Sequence, residues 1–354
     1  MNGIEETSIV FHFCGQGVQW KTMALSLYNE NSIFRNSMNR IDNYLKENYF
    51  NGESMLNKLR SLKDDGKKDD DQFLIHSILF MFQVSIFEIF KSEGIYPSFI
   101  IGISCGEMAS LYCSGALSLK SVCDLLYERA KLMDKVVKIN PFGIPFFIRM
   151  GNEEFIEKYS KRYPDIEICA IFSDDSLLLG TCNNDQFENF SQEIKEKGIL
   201  RRIPSTISFH SSAMDCVKED ALKIKDIEFK NSNSTIPVYC SYTGKLYKES
   251  NSFNIFKSIR DCIQIKKIYQ DFLKSLESNG TKKLILVEIS PHPNPLQILL
   301  QNVKSLKSNV FKMVSTDDSN EKIIYLSSLN KNNDDNIHIN NVIETIKNFA
   351  KIKK

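Results

Sequence analysis

The chain contains 354 residues, with 42% hydrophobic and 25% charged side chains and a formal net charge of +1. This length allows one large domain or two ordinary ones and excludes the minimal scaffolds that need disulfides or metals to fold. The balanced charge excludes a global electrostatic field that would favour nucleic acid or a membrane surface. Nine cysteines without a CxxC pair, and an acidic N-terminus without an apolar stretch, indicate a cytoplasmic protein with free thiols.

The first 140 residues alternate between strand-like and helical patterns. An apolar helix over Phe73–Phe90 is expected in a protein core rather than in a membrane, because it contains His76, Gln83 and Glu88. The mixed charges of Lys58–Asp71 are typical of a solvated loop. The other predicted elements are a strand at Ile9–Phe13, helical pattern through Met23–Tyr44, a buried strand at Pro97–Ile101, a helix that opens just past Ser104 and a helix over Leu119–Val136.

The middle of the chain has its own order of predicted strands and helices, β-α-β-β-α-β. Its predicted elements are strands at Phe146–Met150, Ile166–Phe172, Ser176–Cys182 and Leu200–Pro204, and helices at Glu153–Arg162 and Asn184–Lys197. This order fits a split βαβ, ferredoxin-like unit. We expect an α/β fold in which this small ferredoxin-like subdomain, residues 139–206, is inserted in a large α/β subdomain made of residues 1–138 and 207–310. Residues 311–354 are predicted to form an Asn- and Lys-rich C-terminal tail with one helix at Val342–Ile352.

A GxSxG sequence, Gly102-Ile103-Ser104-Cys105-Gly106, lies between a predicted buried strand and a predicted helix. This is the context of the nucleophile elbow of hydrolase-like folds with a parallel sheet, in which a sharp turn exposes the serine oxygen. Glycine suits such a turn because a Cβ would collide where two backbones approach closely. The alternative is that Ser104 only caps the following helix.

A serine nucleophile needs a base, and the chain has five histidines. His12 lies inside the first predicted strand, His76 on the apolar helix and His338 in the Asn-rich tail. His292 stands between two prolines, which suits a rigid structural turn. His210 follows an apolar stretch that breaks into small polar residues, so it is favoured as the base over His292.

An acyl-transfer site also needs hydrogen-bond donors for the developing oxyanion. The backbone N–H of Cys105, which follows the elbow serine, is one candidate. The loop Gly15-Gln16-Gly17 after the first strand could supply another if it lies beside the elbow.

Five motifs occur in an order and at spacings that resemble one known family. They are Gly15–Gln19, the Ser104 elbow followed by Glu107, Arg129 in Glu-Arg-Ala-Lys-Leu-Met, Phe209–Ser212, and Glu288–Pro293. Over roughly residues 8–300 they resemble the malonyl-CoA:acyl carrier protein transacylase family, the acyltransferase domains of polyketide and fatty acid synthases. The resemblance is closest to the polyketide synthases of social amoebae. Arg129 lies 25 residues and His210 lies 106 residues beyond Ser104, which suits this family.

The resemblance implies an enzyme that moves a malonyl or related acyl group from CoA, through an ester on Ser104, to the phosphopantetheine thiol of an acyl carrier protein. Ser104 would be the nucleophile and His210 its general base. Arg129 would bind the malonyl carboxylate as a bidentate fork. From spacing alone, Arg129 could equally lie on a solvated helix face and pair with neighbouring charges.

The resemblance also assigns four supporting positions. Gln16 and Cys105 would provide the oxyanion N–H groups, and the backbone carbonyl of Gln264 would orient His210. Phe209, directly before the base, would favour malonyl over methylmalonyl. The expected partners are acyl-CoA and an acyl carrier protein, with other synthase modules as further candidates. No bound cofactor or metal, no nucleic acid and no membrane are expected.

Three departures from the family pattern leave alternatives open. Ile103 stands where the elbow usually has histidine, Ile171-Phe172-Ser173 replaces a segment that often contains asparagine, and Ser290 replaces a common glycine. A catalytically weak or inactive acyltransferase-like domain that binds synthase partners is therefore the second hypothesis. A third is an α/β-hydrolase esterase, which would need an Asp or Glu to orient the histidine and would leave Gln16 and Arg129 unexplained.

Overall fold

The computed structural model describes most of the chain. The described residues are 7–62, 71–140, 142–195, 200–203, 205–228, 236–247, 252–281, 283–293 and 323–351. The strands are β1 Thr7–Phe13, β2 Phe99–Gly102, β3 Ile144–Ile148, β4 Glu167–Ser173, β5 Ser176–Thr181, β6 Leu200–Arg202, β7 Ile227–Glu228, β8 Val238–Cys240, β9 Lys245–Leu246, β10 Ser252–Phe253, β11 Lys283–Ile289 and β12 Ile323–Ser327. The α-helices are α1 Leu25–Glu30, α2 Ser32–Asn48, α3 Met55–Ser61, α4 Gln72–Ser92, α5 Gly106–Cys113, α6 Leu119–Ile139, α7 Asn152–Lys158, α8 Asn184–Ile194, α9 Lys218–Leu222, α10 Ile255–Arg260, α11 Ile265–Ser278 and α12 Asp335–Ala350.

A six-stranded sheet forms the centre of the large subdomain, in the order β12-β11-β1-β2-β8-β9. All neighbouring strands are parallel except β8 and β9. In β1 every residue after Thr7 is buried, and β11 is buried from its second residue onwards. Such near-continuous apolar strands are typical of a parallel sheet covered on both faces. The expected α/β fold is confirmed.

Helices cover the two faces of this sheet and bury separate apolar clusters. One cluster joins the sheet to α2, α4, α5 and α6, and the other packs α11 against the opposite face. Helix α4 is long and apolar enough to cross a membrane, with a mean hydropathy of 1.9, but 89% of that stretch is buried inside the protein. The prediction of a core helix at Phe73–Phe90 is therefore confirmed.

The small subdomain contains β3, α7, β4, β5, α8 and β6, as the pattern predicted. Its four strands form an antiparallel sheet in the order β4-β5-β3-β6, the arrangement of a ferredoxin-like unit. Its own apolar cluster is rich in aromatic rings, including Phe146, Phe155 and Phe190. The small subdomain thus has a core separate from that of the large subdomain.

The C-terminal part departs from the expected tail. Strand β12, inside the segment 311–354, pairs in parallel with β11 at the edge of the large sheet. Helix α12 begins at Asp335, seven residues before the predicted Val342, because the side chain of Asp334 caps it by accepting a hydrogen bond from the N–H of Ile337 at 2.9 Å. Residues 323–351 therefore complete the large subdomain, while residues 311–322 lie outside the described residues.

Two boundaries in the first half also differ from the pattern. The helical stretch Met23–Tyr44 is broken at Asn31, whose Oδ1 accepts a hydrogen bond from the N–H of Phe34 at 2.9 Å and starts α2. Part of the predicted loop Lys58–Asp71 is structured, since residues 58–61 end α3 and Asp71 caps α4. Residues 63–70 lie outside the described residues.

Candidate active site

A strained turn between β2 and α5 carries Ser104, as the GxSxG pattern predicted. The φ angle of Ser104 is 53°, a left-handed conformation that is uncommon for a residue with a side chain. A Cβ on Gly106 would lie 2.5 Å from the carbonyl oxygens of Phe13 and Cys14, and a Cβ on Gly102 would lie 2.4 Å from Ser110 Oγ. Only glycine fits at these two positions, so the strand and helix pack tightly and the serine points outward.

His210 lies beside the serine. The Ser104 hydroxyl and His210 Nε2 are 2.9 Å apart, and His210 Nδ1 is 3.1 Å from the backbone carbonyl oxygen of Asp261. In the neutral tautomer that fits both contacts, Nδ1–H donates to Asp261 and Nε2 accepts from the serine. This is the geometry of a nucleophile and a base that is held by a third group.

The prediction that Gln264 supplies this carbonyl is wrong by three residues. The backbone N–H of Gln264 donates to the carbonyl of Ser241 at 2.8 Å, and its own carbonyl accepts from Ile268 at the start of α11. The carbonyl of Gln264 is therefore occupied by the helix. Any residue can present a backbone carbonyl, so no side-chain pattern could single out Asp261.

The loop after β1 lies next to the elbow, as the oxyanion-hole hypothesis requires. Strands β1 and β2 end side by side, with Phe13 opposite Gly102, and the N–H of Ile103 donates to the carbonyl of Phe13 at 3.0 Å. A Cβ on Gly15 would lie 3.6 Å from Ser104 Cβ. The loop that contains Gln16 therefore lies beside Ser104, which Cys105 directly follows in the chain.

Arg129 reaches the serine from α6. Its Nη2 donates to Ser104 Oγ at 2.9 Å, and its Nη1 donates to Ser258 Oγ at 3.0 Å. The side chain is only 1% exposed, and its Nε has no hydrogen-bond partner among the described residues. The interpretation of Arg129 as a residue on a solvated helix face is therefore wrong.

Among the residues that the structure describes, no carboxylate forms a direct ion pair with Arg129. Burial lowers the pKa of its guanidinium, and the carboxylate that acts on it electrostatically, Glu107, is bound elsewhere. Glu107 Oε1 accepts hydrogen bonds from the N–H of Ser241 at 2.8 Å and from the hydroxyl of Tyr247 at 3.2 Å. Burial raises the pKa of Glu107 to about 7, which weakens it further as a counter-ion. A buried cation in this state favours an anionic ligand.

Three residues that contact the site were not assigned to it in the sequence analysis. His76, expected to be a core or boundary residue, is buried and its Nε2 donates to Gln16 Oε1 at 3.2 Å, which ties α4 to the loop after β1. Ser258 holds Arg129, and Asp261 holds His210. His76 was visible as a polar residue in an apolar helix, whereas Ser258 and Asp261 carry no such signal.

Two other sequence candidates, Phe209 and His292, have different surroundings. Phe209 is half-buried and packs against the large apolar core. His292 follows β11, and its backbone carbonyl accepts a hydrogen bond from Ser290 at 2.5 Å. In the described ranges, no group of three or more His, Cys, Asp or Glu side chains could hold a metal ion.

Buried histidines make the stability of the protein depend on pH. Burial lowers the pKa of His12 to about 4, and burial together with the nearby Arg129 charge lowers the pKa of His76 and of His210 to about 3. An unfolded histidine titrates near pH 6.5, so below this pH the unfolded state binds protons that the folded state does not. The free energy of unfolding therefore falls as the pH drops from about 6.5 towards 4. Glu107, with its raised pKa, opposes this trend.

We expect the unfolding free energy of the protein to fall between pH 6.5 and pH 5. Each buried histidine contributes at most about 1.4 kcal/mol per pH unit. His76→Gln removes one such group, so the unfolding free energy of the variant should change with pH less steeply, by up to this amount. This expectation does not depend on the substrate of the protein. Urea unfolding at several pH values measures both slopes. Equal slopes for the two proteins would contradict the burial of a neutral His76.

Comparisons with known proteins agree on one family. The model of the acyl transferase domain family matches residues 10–350. Probable polyketide synthase 25 of Dictyostelium discoideum is 34% identical over 333 residues, which is 92% of this chain, and probable polyketide synthase 40 of the same organism is 36% identical over 330 residues, 90% of the chain. The chain spans 13% of the length of each of these curated relatives.

Solved structures show the same fold at lower sequence identity. The loading acyltransferase from the avermectin modular polyketide synthase superposes with a TM-score of 0.79 at 18% identity, covering 96% of this chain and 99% of that one. The acyltransferase domain from the second module of the salinomycin polyketide synthase superposes with a TM-score of 0.75 at 20% identity, covering 94% and 72%. The resemblance inferred from the sequence motifs is thus confirmed, and the chain belongs to the acyl transferase domain family.

Proposed function

We propose that this chain is an acyltransferase that moves a malonyl group from CoA, through an ester on Ser104, to the phosphopantetheine thiol of an acyl carrier protein. The observation that carries the proposal is the convergence of His210 and Arg129 on one serine oxygen, at 2.9 Å each. A base activates the oxygen, and a buried cation stands where an acyl group bearing a carboxylate would be held.

The loading half-reaction begins at the serine. His210 Nε2 accepts the Ser104 proton while the oxygen attacks the thioester carbonyl of malonyl-CoA. The negative charge on the carbonyl oxygen is stabilised by the N–H groups of Gln16 and Cys105. The C–S bond then breaks, His210 returns the proton to the departing sulfur, and CoA leaves as a thiol with the malonyl group on Ser104.

The second half-reaction reverses these roles. The carrier thiol gives its proton to His210 and attacks the malonyl ester, and the proton passes to Ser104 Oγ as the ester bond breaks. The Asp261 carbonyl stabilises the protonated ring by accepting from Nδ1–H. An acyl carrier protein, alone or within other synthase modules, is the partner that this step needs.

Arg129 selects for acyl groups that carry a carboxylate. In the free site its Nη2 donates to Ser104, and a malonyl carboxylate would accept from the guanidinium as a bidentate fork. Taking a carboxylate into a buried pocket requires a cation, since an unpaired buried charge is costly. An acetyl group has no carboxylate and therefore forms no ion pair with this cation.

The other two hypotheses receive less support. An α/β-hydrolase esterase would orient its histidine with Asp or Glu, whereas here a backbone carbonyl contacts Nδ1. An inactive partner-binding domain has no need for a base and a buried arginine that both contact one serine. Ile103 and Phe172, which depart from the family pattern, leave these two contacts in place.

We place this activity in the cytoplasm and in polyketide or fatty acid synthesis. All nine cysteines are free thiols, the state that a reducing compartment maintains. The similarity to polyketide synthases supports the pathway class.

Mixing the protein with malonyl-CoA and recording its intact mass tests the proposal. We expect one malonyl adduct, located on the peptide that contains Ser104, and its disappearance when a phosphopantetheinylated carrier protein is added. A protein whose mass stays unchanged in malonyl-CoA would favour the inactive partner-binding domain.

The same experiment with equal amounts of malonyl-CoA and methylmalonyl-CoA tests the acyl preference. We propose that Phe209, next to the base, narrows the space beside the α-carbon and favours malonyl. One methyl group in an apolar pocket is worth only about 1–3 kcal/mol, so the malonyl adduct should exceed the other by about tenfold or more. Equal adducts would contradict this role.

A further inference from the structure

Two segments hold His210 in place. The first is its own loop, 208–212, in which His210 has a φ of 60°. The second is the turn 259–261 at the end of α10, where the carbonyl of Ile259 accepts from the N–H of His210 at 3.0 Å and the carbonyl of Asp261 accepts from Nδ1 at 3.1 Å. A left-handed histidine persists only where its surroundings fix it, so the anchoring of both segments matters.

One carboxylate of the small subdomain contacts both segments. Glu167, the first residue of β4, accepts a hydrogen bond from the N–H of Ser212 at 2.8 Å and a short one from the Ser212 hydroxyl, both on Oε1. Its Oε2 lies 3.4 Å from Nη1 of Arg260. Glu167 therefore connects the loop that bears the base with the turn that orients it.

The backbone of β4 reinforces this joint. The N–H of Ile263 donates to the carbonyl of Cys169 at 2.9 Å, and the N–H of Ile171 donates to the carbonyl of Ile263 at 2.8 Å. Arg260 also binds Asp215 within the large subdomain at 2.9 Å. The segment 260–263 is thus fixed to the small subdomain just where its Asp261 carbonyl faces the imidazole.

We propose that Glu167 is a positioning residue for His210, through which the small subdomain fixes the base of the large subdomain. The inference rests on the proposed function, because it assumes that His210 activates Ser104. The Glu167–Arg260 contact is partly exposed, and such ion pairs alone contribute little. The hydrogen bonds from Ser212 to Oε1 hold the loop that bears His210, and they are the contacts that the variants test.

Three variants separate positioning from general tethering. Glu167→Ala removes both contacts, whereas Glu167→Gln keeps an acceptor for Ser212 and loses only the charge. Asp174→Asn is the matched control, since Asp174 pairs with Lys266 at 2.6 Å across the same two subdomains without contacting either segment that holds His210.

The experiment uses a fluorophosphonate. This probe reports on the reactivity of the serine and its base, and it does not require the site to recognise an acyl group. Ser104 oxygen bonds to phosphorus and fluoride leaves while His210 takes the proton. We expect Glu167→Ala to lower the maximal inactivation rate by about tenfold with the half-saturating concentration unchanged, because a displaced base costs rate rather than binding. Glu167→Gln and Asp174→Asn should stay within about threefold of wild type, as expected for partly exposed ion pairs.

Parallel malonyl-CoA loading distinguishes the possible failures. A wild-type protein that reacts with the fluorophosphonate but not with malonyl-CoA would overturn the proposed substrate and leave the role of Glu167 standing. If Glu167→Ala reacts like wild type, or if Asp174→Asn loses as much, the positioning role is overturned. A wild-type protein that is not labelled at Ser104 would overturn both.

Discussion

Ser104→Ala is expected to abolish the malonyl adduct completely. The proposed acyl intermediate is an ester of this hydroxyl, and no other oxygen nucleophile contacts both His210 and Arg129 among the described residues. His210→Ala should slow loading by about 10²-fold or more, the usual loss when a general base is removed. Intact-mass measurements over time, on each variant with malonyl-CoA, give both results.

A matched control separates chemistry from folding in this experiment. Ser85→Ala removes a buried hydroxyl on α4 that has no hydrogen-bond partner among the described residues, and it should retain an adduct. A malonyl adduct on the Ser104→Ala protein would mean that another residue is the nucleophile. Loading by His210→Ala at the wild-type rate would remove the histidine from the mechanism.

Arg129→Ala should suppress malonyl loading strongly while sparing or improving the loading of acetyl groups. Leaving one partner of a desolvated ion pair without the other typically costs about 3–5 kcal/mol, a factor of at least 10² in rate. An acetyl group has no carboxylate, so it loses no ion pair when the guanidinium is removed. Loading from malonyl-CoA and acetyl-CoA in parallel measures the ratio.

Two further variants define what Arg129 contributes. Arg129→Lys should rescue malonyl loading poorly, because an ammonium group does not reproduce the planar fork. Lys131→Ala, on the same helix and exposed beside Glu128, should change neither substrate. If Arg129→Ala reduces malonyl and acetyl loading equally, the arginine supports the fold of the site and the malonyl assignment is lost.

The side chains to which we assign the chemistry were predictable because the proposed reaction restricts their identity. Ser104 is flanked by glycines that the turn requires, and His210 stands at a break in an apolar segment. The burial of Arg129 was not predictable from its spacing, since Glu128 and Lys131 beside it are typical of a solvated face. Only packing of α6 against the site decides it.

Elements defined by their neighbours were harder to foresee. The strand β12 has only five residues, within a polar stretch of the chain. The local residue pattern does not indicate that it pairs with β11. The carbonyl of Asp261 is likewise chosen by where α10 ends, at Arg260. In both cases tertiary context supplies the information that local sequence lacks.

The parallel pairing of β1 with β11 has a consequence for how the protein folds. Phe13 at the end of β1 lies opposite Ile289, so the strand that leads into the Gln16 loop is flanked by residues made much later in synthesis. Such non-local pairing is slow, because the entropy of a very long loop is lost before any contact forms. The small subdomain is contiguous in the chain, so it can fold before β11 has been synthesised and has paired with β1.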